Sequence, residues 1–319
     1  MSSSNKWAIE TQSLAKRYNN GEILAIEDLD LKVEEGSTYA LLGPNGAGKT
    51  TTISILTTLI QPTAGSAMVS GFDVVRQSAQ VRRRIGVTFQ DIVLDDDLTG
   101  LQVLHVHGQL YRQDREVRDR KIKGLVELVE LQDAIDRKVR TYSGGMKRRL
   151  ELARGLMTEP EILFLDEPTQ GLDPQNRAAV WEYLRQLQDK QALTILLTTH
   201  YMEEAEALAD RVGIIDHGSL VVEGTPRELI EGMGSDVVNL SGQGNHNGFL
   251  DAVRTQPFVQ RVNDSNNLVQ IGVDHGNRRL ATIVELASQH NYTITEIGIA
   301  KPSLGDVFLK YTGRQLRDQ

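Results

Sequence analysis

Short apolar runs of strand length open the chain: Trp7 to Gln12, Ile23 to Val33 and Tyr39 to Leu42, punctuated by Gly21, Gly36 and Gly43. From Leu98 the period lengthens. Thr99 followed three residues later by Gln102 reads as a capping box, and Ile122, Leu125, Val126 and Val129 fall on one helix face, so residues 91–155 predict a helical insert. Near-continuous apolar runs return at Ile162 to Leu165 and Leu193 to Leu197, either side of a helical stretch from Arg177 to Gln188. That alternation belongs to a buried parallel sheet with crossover helices. Residues 1–230 therefore predict one α/β domain.

Beyond Pro226 the composition shifts, and the Gly-, Asn- and Gln-rich stretch from Gly234 to Gly248 reads as a boundary or long loop. Residues 231–319 predict a second, smaller α+β domain. Phe258 to Val262 and Leu268 to Val273 form a hairpin through Asn263 to Asn267, Arg279 to Gln289 is helical, and Tyr292 to Ile299 is a further strand.

Composition narrows the function. Of 319 residues, 39% are hydrophobic, enough for a sizeable core, and 35 Lys plus Arg against 43 Asp plus Glu leave a net charge of -8. An acidic balance of this kind argues against a nucleic-acid partner. There is no cysteine, which excludes disulfides, thiol catalysis and Cys-ligated metal. No stretch approaches the roughly 18 to 20 apolar residues that cross a bilayer, and Met1 to Lys6 is polar without the apolar core of a signal peptide. The expectation is a cytoplasmic protein whose membrane contact comes only through a partner.

The chemistry begins at Gly43-Pro44-Asn45-Gly46-Ala47-Gly48-Lys49-Thr50, followed by Thr51. It fits G-x-x-x-x-G-K-[ST] and sits between an apolar strand and a helix. Glycines let backbone N–H groups curl around phosphates, the helix adds its positive end, Lys49 neutralises charge and Thr50 can ligand Mg²⁺. A chance Gly-rich turn is the bland alternative, and its placement between strand and helix argues against it.

Further groups stand where they could converge on the same phosphates. Ser143 is a candidate N-cap for a helix with Met146, Leu150, Ala153 and Met157 on one face, and Gly144 and Gly145 leave its start accessible to an anion. The apolar strand Ile162 to Leu165 ends in Asp166 and Glu167, the first suited to Mg²⁺ and the second to a water; Asp173 follows in Gly171-Leu172-Asp173-Pro174. Gln90 follows Val87-Thr88-Phe89, and His200 follows Leu197-Thr198-Thr199. His105, His107, His217, His246, His275 and His290 read as ordinary polar residues, and Arg82 to Arg84 and Lys147 to Arg149 as solvated faces or contacts within the fold.

Over residues 7–230 this order of motifs resembles the ATP-binding cassette (ABC) family. The resemblance implies a P-loop NTPase core with a mostly parallel sheet, an antiparallel β subdomain and the helical insert. It makes Gly43 to Thr51 the Walker A loop, Gln90 the Q-loop glutamine, Ser143 to Met146 the signature, Ile162 to Glu167 Walker B, Asp173 the D-loop aspartate and His200 the switch histidine. It also puts Tyr18 where the family stacks an aromatic on adenine, although packing alone would account for a tyrosine there. ATP and Mg²⁺ are the implied cofactors, with Thr50, Gln90 and Asp166 around the metal and Lys49, Glu167 and His200 in hydrolysis.

In this family two cassettes sandwich two nucleotides, so the implied partners are a second cassette, identical or paired, and a transmembrane permease. The chain would then sit on the inner face of the membrane. Tyr142 and Met146 replace the more frequent Leu and Gln of the signature; with Thr199 to Glu206 and Pro302 to Leu309 they look like the daunorubicin-resistance-type multidrug exporters, although Gly305 stands where an acidic residue is common. The nearer alternative is an importer ATPase, and the farther one a soluble non-transport cassette.

Overall fold

The computed structural model describes residues 7–191, 193–233, 236–265, 268–274, 276–300 and 302–313. Met1 to Lys6, Gly234, Asn266, Asn267 and His275 lie outside them. Contacts divide the chain into two units, Met1–Pro226 and Arg227–Gln319.

The strands of the first unit are β1 (Trp7–Tyr18), β2 (Ile23–Glu34), β3 (Thr38–Leu42), β4 (Ala64–Val69), β5 (Phe72–Asp73), β6 (Ile85–Thr88), β7 (Ile162–Asp166), β8 (Thr194–Thr199), β9 (Arg211–Asp216) and β10 (Ser219–Gly224). Its helices are α1 (Lys49–Leu56), α2 (Ser78–Arg82), α3 (Gly100–Leu110), α4 (Arg115–Leu128), α5 (Gly144–Leu156), α6 (Pro174–Gln191) and α7 (Met202–Leu208). One antiparallel sheet runs β2-β1-β4-β5, and a six-stranded sheet runs β10-β9-β3-β8-β7-β6. All ladders of the second sheet are parallel except β9 with β10.

Burial explains the apolar runs. Every residue of β3, β7 and β8 is buried, as expected of central parallel strands covered on both faces. Helix α1 ties the two sheets together, because Ile53 and Leu56 share one cluster with Ile9, Leu29 and Val33 of the antiparallel sheet and with Phe164 and Leu196 of the parallel one. The insert forms as expected. Thr99 and Gln102 make the full capping box at the start of α3, and Ile122, Leu125, Val126 and Val129 are buried.

The second unit contains α8 (Pro226–Glu231), β11 (Asp236–Gly244), α9 (His246–Arg254), β12 (Val259–Ser265), β13 (Leu268–Val273), α10 (Gly276–Gln289), β14 (Tyr292–Ala300) and α11 (Leu304–Thr312). The β-α-β-β-α-β succession from β11 to β14 forms an antiparallel sheet in the order β12-β13-β11-β14, the split βαβ arrangement. Its core is its own: Val238, Leu240, Phe249, Val253, Val269, Ile271 and Ile283, with Tyr292 stacked on Phe249 at 4.7 Å. Here the sequence expectation needs correction. The Gly234 to Gly248 stretch is no long loop in its described part, since Asp236 to Gly244 is a central strand that buries Val238 and Leu240 and turns Asn239 and Ser241 to the other face.

Among the described residues no helix is long and apolar enough to cross a membrane.

Candidate functional site

The loop between β3 and α1 is shaped by backbone that only glycine tolerates. Gly46 and Gly48 have φ of 81° and 108°, and a Cβ on Gly48 would stand 2.5 Å from the Ala25 carbonyl oxygen. The Gly43 N–H donates to Thr199 O at 3.2 Å and the Ala47 N–H to Pro44 O at 3.1 Å. Among the described residues no acceptor stands against the N–H groups of Gly46, Gly48, Lys49 and Thr50, the orphan donors of a helix start. They open onto a cleft of about 320 Å³ lined by Ala25, Asn45, Gly46, Gly48, Lys49, Thr50, Thr51, Gln90 and Glu167. A larger cleft of about 490 Å³ lies in the second unit, but it carries none of these groups.

Lys49 is buried at the floor of the loop. Its ammonium donates to the Gly43 and Pro44 carbonyls at 2.8 and 3.2 Å and lies 3.2 Å from Oε1 of Glu167. The other oxygen, Oε2, is 3.2 Å from Nδ1 of His200. These two atoms attract by charge when the imidazole is protonated, but they are out of line, and both are buried without a hydrogen-bond partner. Glu167 lines the cleft, and a buried carboxylate oxygen without a partner there fits a site completed by a ligand or water. Burial pushes the Glu167 carboxyl up, yet His200 and Lys49 outweigh it and hold the group below the usual carboxylate range.

Strand β8 joins the two halves of the site. Thr198 Oγ1 donates to Asp166 Oδ1 at 2.5 Å, while the Glu167 N–H donates to Thr198 O and Oγ1, each at 3.1 Å. Glu167 itself sits at φ 48°, a left-handed conformation uncommon outside glycine. Nothing in the sequence singled out Thr198, although two threonines, Thr198 and Thr199, closing a buried strand after Ile195, Leu196 and Leu197 are a signal.

Gln90 reaches the same cleft and donates to Gln170 Oε1 at 2.7 Å. Ser143 caps α5 by accepting from the Met146 N–H at 3.2 Å, and Gly144 beside it is exposed. A Cβ on Gly145 would stand 2.6 Å from Asn176 Oδ1, so the helix start packs closely on α6. Tyr142 is explained by its hydroxyl, which donates to Ala134 O at 2.7 Å, a bond that leucine could not make. Asp173 caps α6, accepting from the Gln175 and Asn176 N–H groups at 3.1 Å, and the Asn176 donors hold its carboxyl below its ordinary range. Tyr18, Gly43, Pro44, Ala47, Ser143, Gly144, Gly145, Asp166, Asp173 and His200 are not part of the cleft lining; Asp166 and His200 stand behind Glu167, which is. Tyr18 is partly exposed at the end of β1, with the Lys16 ammonium 5.2 Å from its ring centre.

Of the basic runs, one residue is wholly internal. Arg148 is 2% exposed, whereas Lys147 and Arg149 are only partly buried. Of the two readings of the run, a solvated face or contacts within the fold, the second describes Arg148.

A strand that runs into a glycine loop and helix, with two carboxylates at the end of the next strand but one, defines a P-loop nucleotide-binding protein. The sequence model of the ABC transporter family matches residues 26–170. The chain is 41% identical to a daunorubicin resistance ATP-binding protein of Streptomyces coeruleorubidus over 97% of both chains, and 39% identical to the Nod factor export ATP-binding protein I of Cupriavidus pinatubonensis over 97% of this chain and 92% of that one. Among solved structures, a dimeric ATP-binding cassette in a post-hydrolysis state with ADP and Pi matches with a TM-score of 0.62 at 26% identity, covering 68% of this chain and 98% of that one. The chain belongs to the ABC transporter family and is an ATPase cassette.

Proposed function

We propose that this chain binds and hydrolyses MgATP to drive an exporter whose membrane-spanning part is a separate permease, with two cassettes acting as a pair. The observation that carries this reading is the run of contacts from Lys49, at the floor of the phosphate loop, through Glu167 to His200. The near-full-length likeness to export and drug-resistance ATP-binding proteins supports its direction.

Hydrolysis is phosphoryl transfer to water, which calls for positioning and charge stabilisation rather than covalent chemistry. The open N–H groups of Gly46, Gly48, Lys49 and Thr50 cradle the phosphates, and Lys49 neutralises them. Glu167 orients the attacking water and accepts its proton, and His200 holds the γ-phosphate. Thr50, Gln90 and Asp166 offer the hard oxygen donors that Mg²⁺ takes. When bound, Mg²⁺ supplies charge neutralisation between the phosphates. Tyr18 stacks on adenine; Ser143, Gly144, Gly145 and Asp173 serve the facing cassette.

The test is to isolate the full-length chain from membranes with its bound proteins. A multi-span permease that co-purifies, and that moves an apolar or amphipathic compound outward only with MgATP, is expected. Recovery with an uptake permease and its solute-binding protein would instead assign an importer.

A further inference from the structure

We propose that Arg148 is a positioning residue for ATP hydrolysis, one buried guanidinium that sets the main chain of Glu167 and Gln90 together. This rests on the reading of the site given above and extends it to a residue outside the cleft.

The geometry is specific. From α5, Arg148 Nε donates to Pro168 O at 2.6 Å and Nη2 to Asp166 O at 3.1 Å, the carbonyls on either side of Glu167. Nη1 donates to Phe89 O at 2.7 Å, the carbonyl just before Gln90. Nη1 also meets Glu151 Oε2 at 2.7 Å, and Glu151, fully buried, is braced by Arg154 at 3.3 Å. The cation is thus compensated by a carboxylate from its own helix while its other donors reach out to three main-chain oxygens on two segments.

Why such a grip is useful follows from the backbone of Glu167. A non-glycine residue at φ 48° persists only where its surroundings over-determine it. Thr198 secures its N–H from β8, and Arg148 secures the carbonyls before and after it from α5. Only a planar fork with several donors spans these three oxygens; an ammonium keeps the charge and loses the geometry. Helix α5 begins at the Ser143 cap, so the same helix that presents Ser143 and Gly144 also fixes Glu167 and Gln90.

The experiment measures steady-state and single-turnover ATP hydrolysis by the full-length chain, with ATP affinity measured separately. Arg148→Lys is expected to lower kcat by about 10- to 100-fold, the scale of an ångström-sized misplacement, with ATP affinity within about twofold, as groups outside the grip hold the nucleotide. In a Glu167→Gln background the same change should cost markedly less than it does alone, because the share acting through Glu167 is already lost and only the share acting through Gln90 remains. If Arg148→Lys does not fold, the paired change Arg148→Gln with Glu151→Gln removes both charges together and must show the same kcat-selective, non-additive loss. Normal turnover in either folded variant overturns the proposal, as does a loss of equal size in the Glu167→Gln background. An unmodified chain without MgATP hydrolysis overturns the reading of the site, and this one with it.

Discussion

The Lys49 ammonium stands 3.2 Å from Glu167 Oε1, with the two side chains only 4% and 5% exposed. A buried pair of this kind is costly to break from one side, because the remaining charge is left uncompensated. Here the lysine keeps the Gly43 and Pro44 carbonyls, so the carboxylate can be neutralised without stranding it.

Glu167→Gln should therefore fold and bind MgATP, yet turn over about 10²- to 10⁴-fold more slowly, the range of a general base. ATP-locked dimers should accumulate, visible by size-exclusion chromatography. Turnover within about twofold of the unmodified chain would remove Glu167 from its role.

Tyr18→Ala should weaken ATP binding and leave single-turnover hydrolysis of bound nucleotide unchanged, whereas Tyr18→Phe should leave both unchanged. Base stacking on an aromatic contributes about 1 to 3 kcal/mol, or roughly fivefold to over a hundredfold in affinity. Unchanged affinity in titration calorimetry would leave Tyr18 a packing residue beside Lys16.

A chain ended at Pro226 keeps Lys49, Gln90, Ser143, Asp166, Glu167 and His200, and the removed unit has a core of its own. ATP affinity should stay within about twofold, while transport in cells and association with the partner should fail, with Pro302 to Leu309 as the missing contact. Full transport from the shortened chain would show the second unit dispensable.

Burial, with the Arg154 charge adding to it, brings the His107 imidazole down from 6.5 to about 4. The folded chain thus holds it neutral where the unfolded chain protonates it. Its contribution to stability is present above about pH 6.5 and is lost as the pH falls towards 4. Urea midpoints of His107→Gln and the unmodified chain, compared at pH 4.5 and 7.5, should show a smaller acid loss in the variant. Equal losses would mean that the imidazole titrates normally.

Much of the molecule was legible because its core strands bury every residue and its loop chemistry is local. Tyr39 to Leu42 and Ile162 to Leu165 announced themselves as apolar runs, and Gly43 to Thr50 as a pattern with one mechanical purpose. Strand β11 was not legible, since only Val238 and Leu240 mark its buried face amid Asn, Ser, Gly and Gln. Arg148 was hidden inside a basic run whose neighbours are more exposed. The available signal was its spacing from Glu151, three residues on, in a helix otherwise lined by Leu150, Leu152 and Ala153. Thr198 acts across a sheet, a relationship set by ladder pairing that no local window contains.

That ladder has a consequence for how the protein can change. Strand β8 pairs Thr199 with Leu42 on one side and Thr198 with Asp166 on the other. The spacing of the phosphate loop from the carboxylates is therefore ruled by main-chain registration, not by which apolar side chains fill the space between. Core residues are free to drift in size and shape while that interval stays constant, but one residue inserted or deleted within β8 would turn every side chain to the opposite face and pull the two halves of the site out of step.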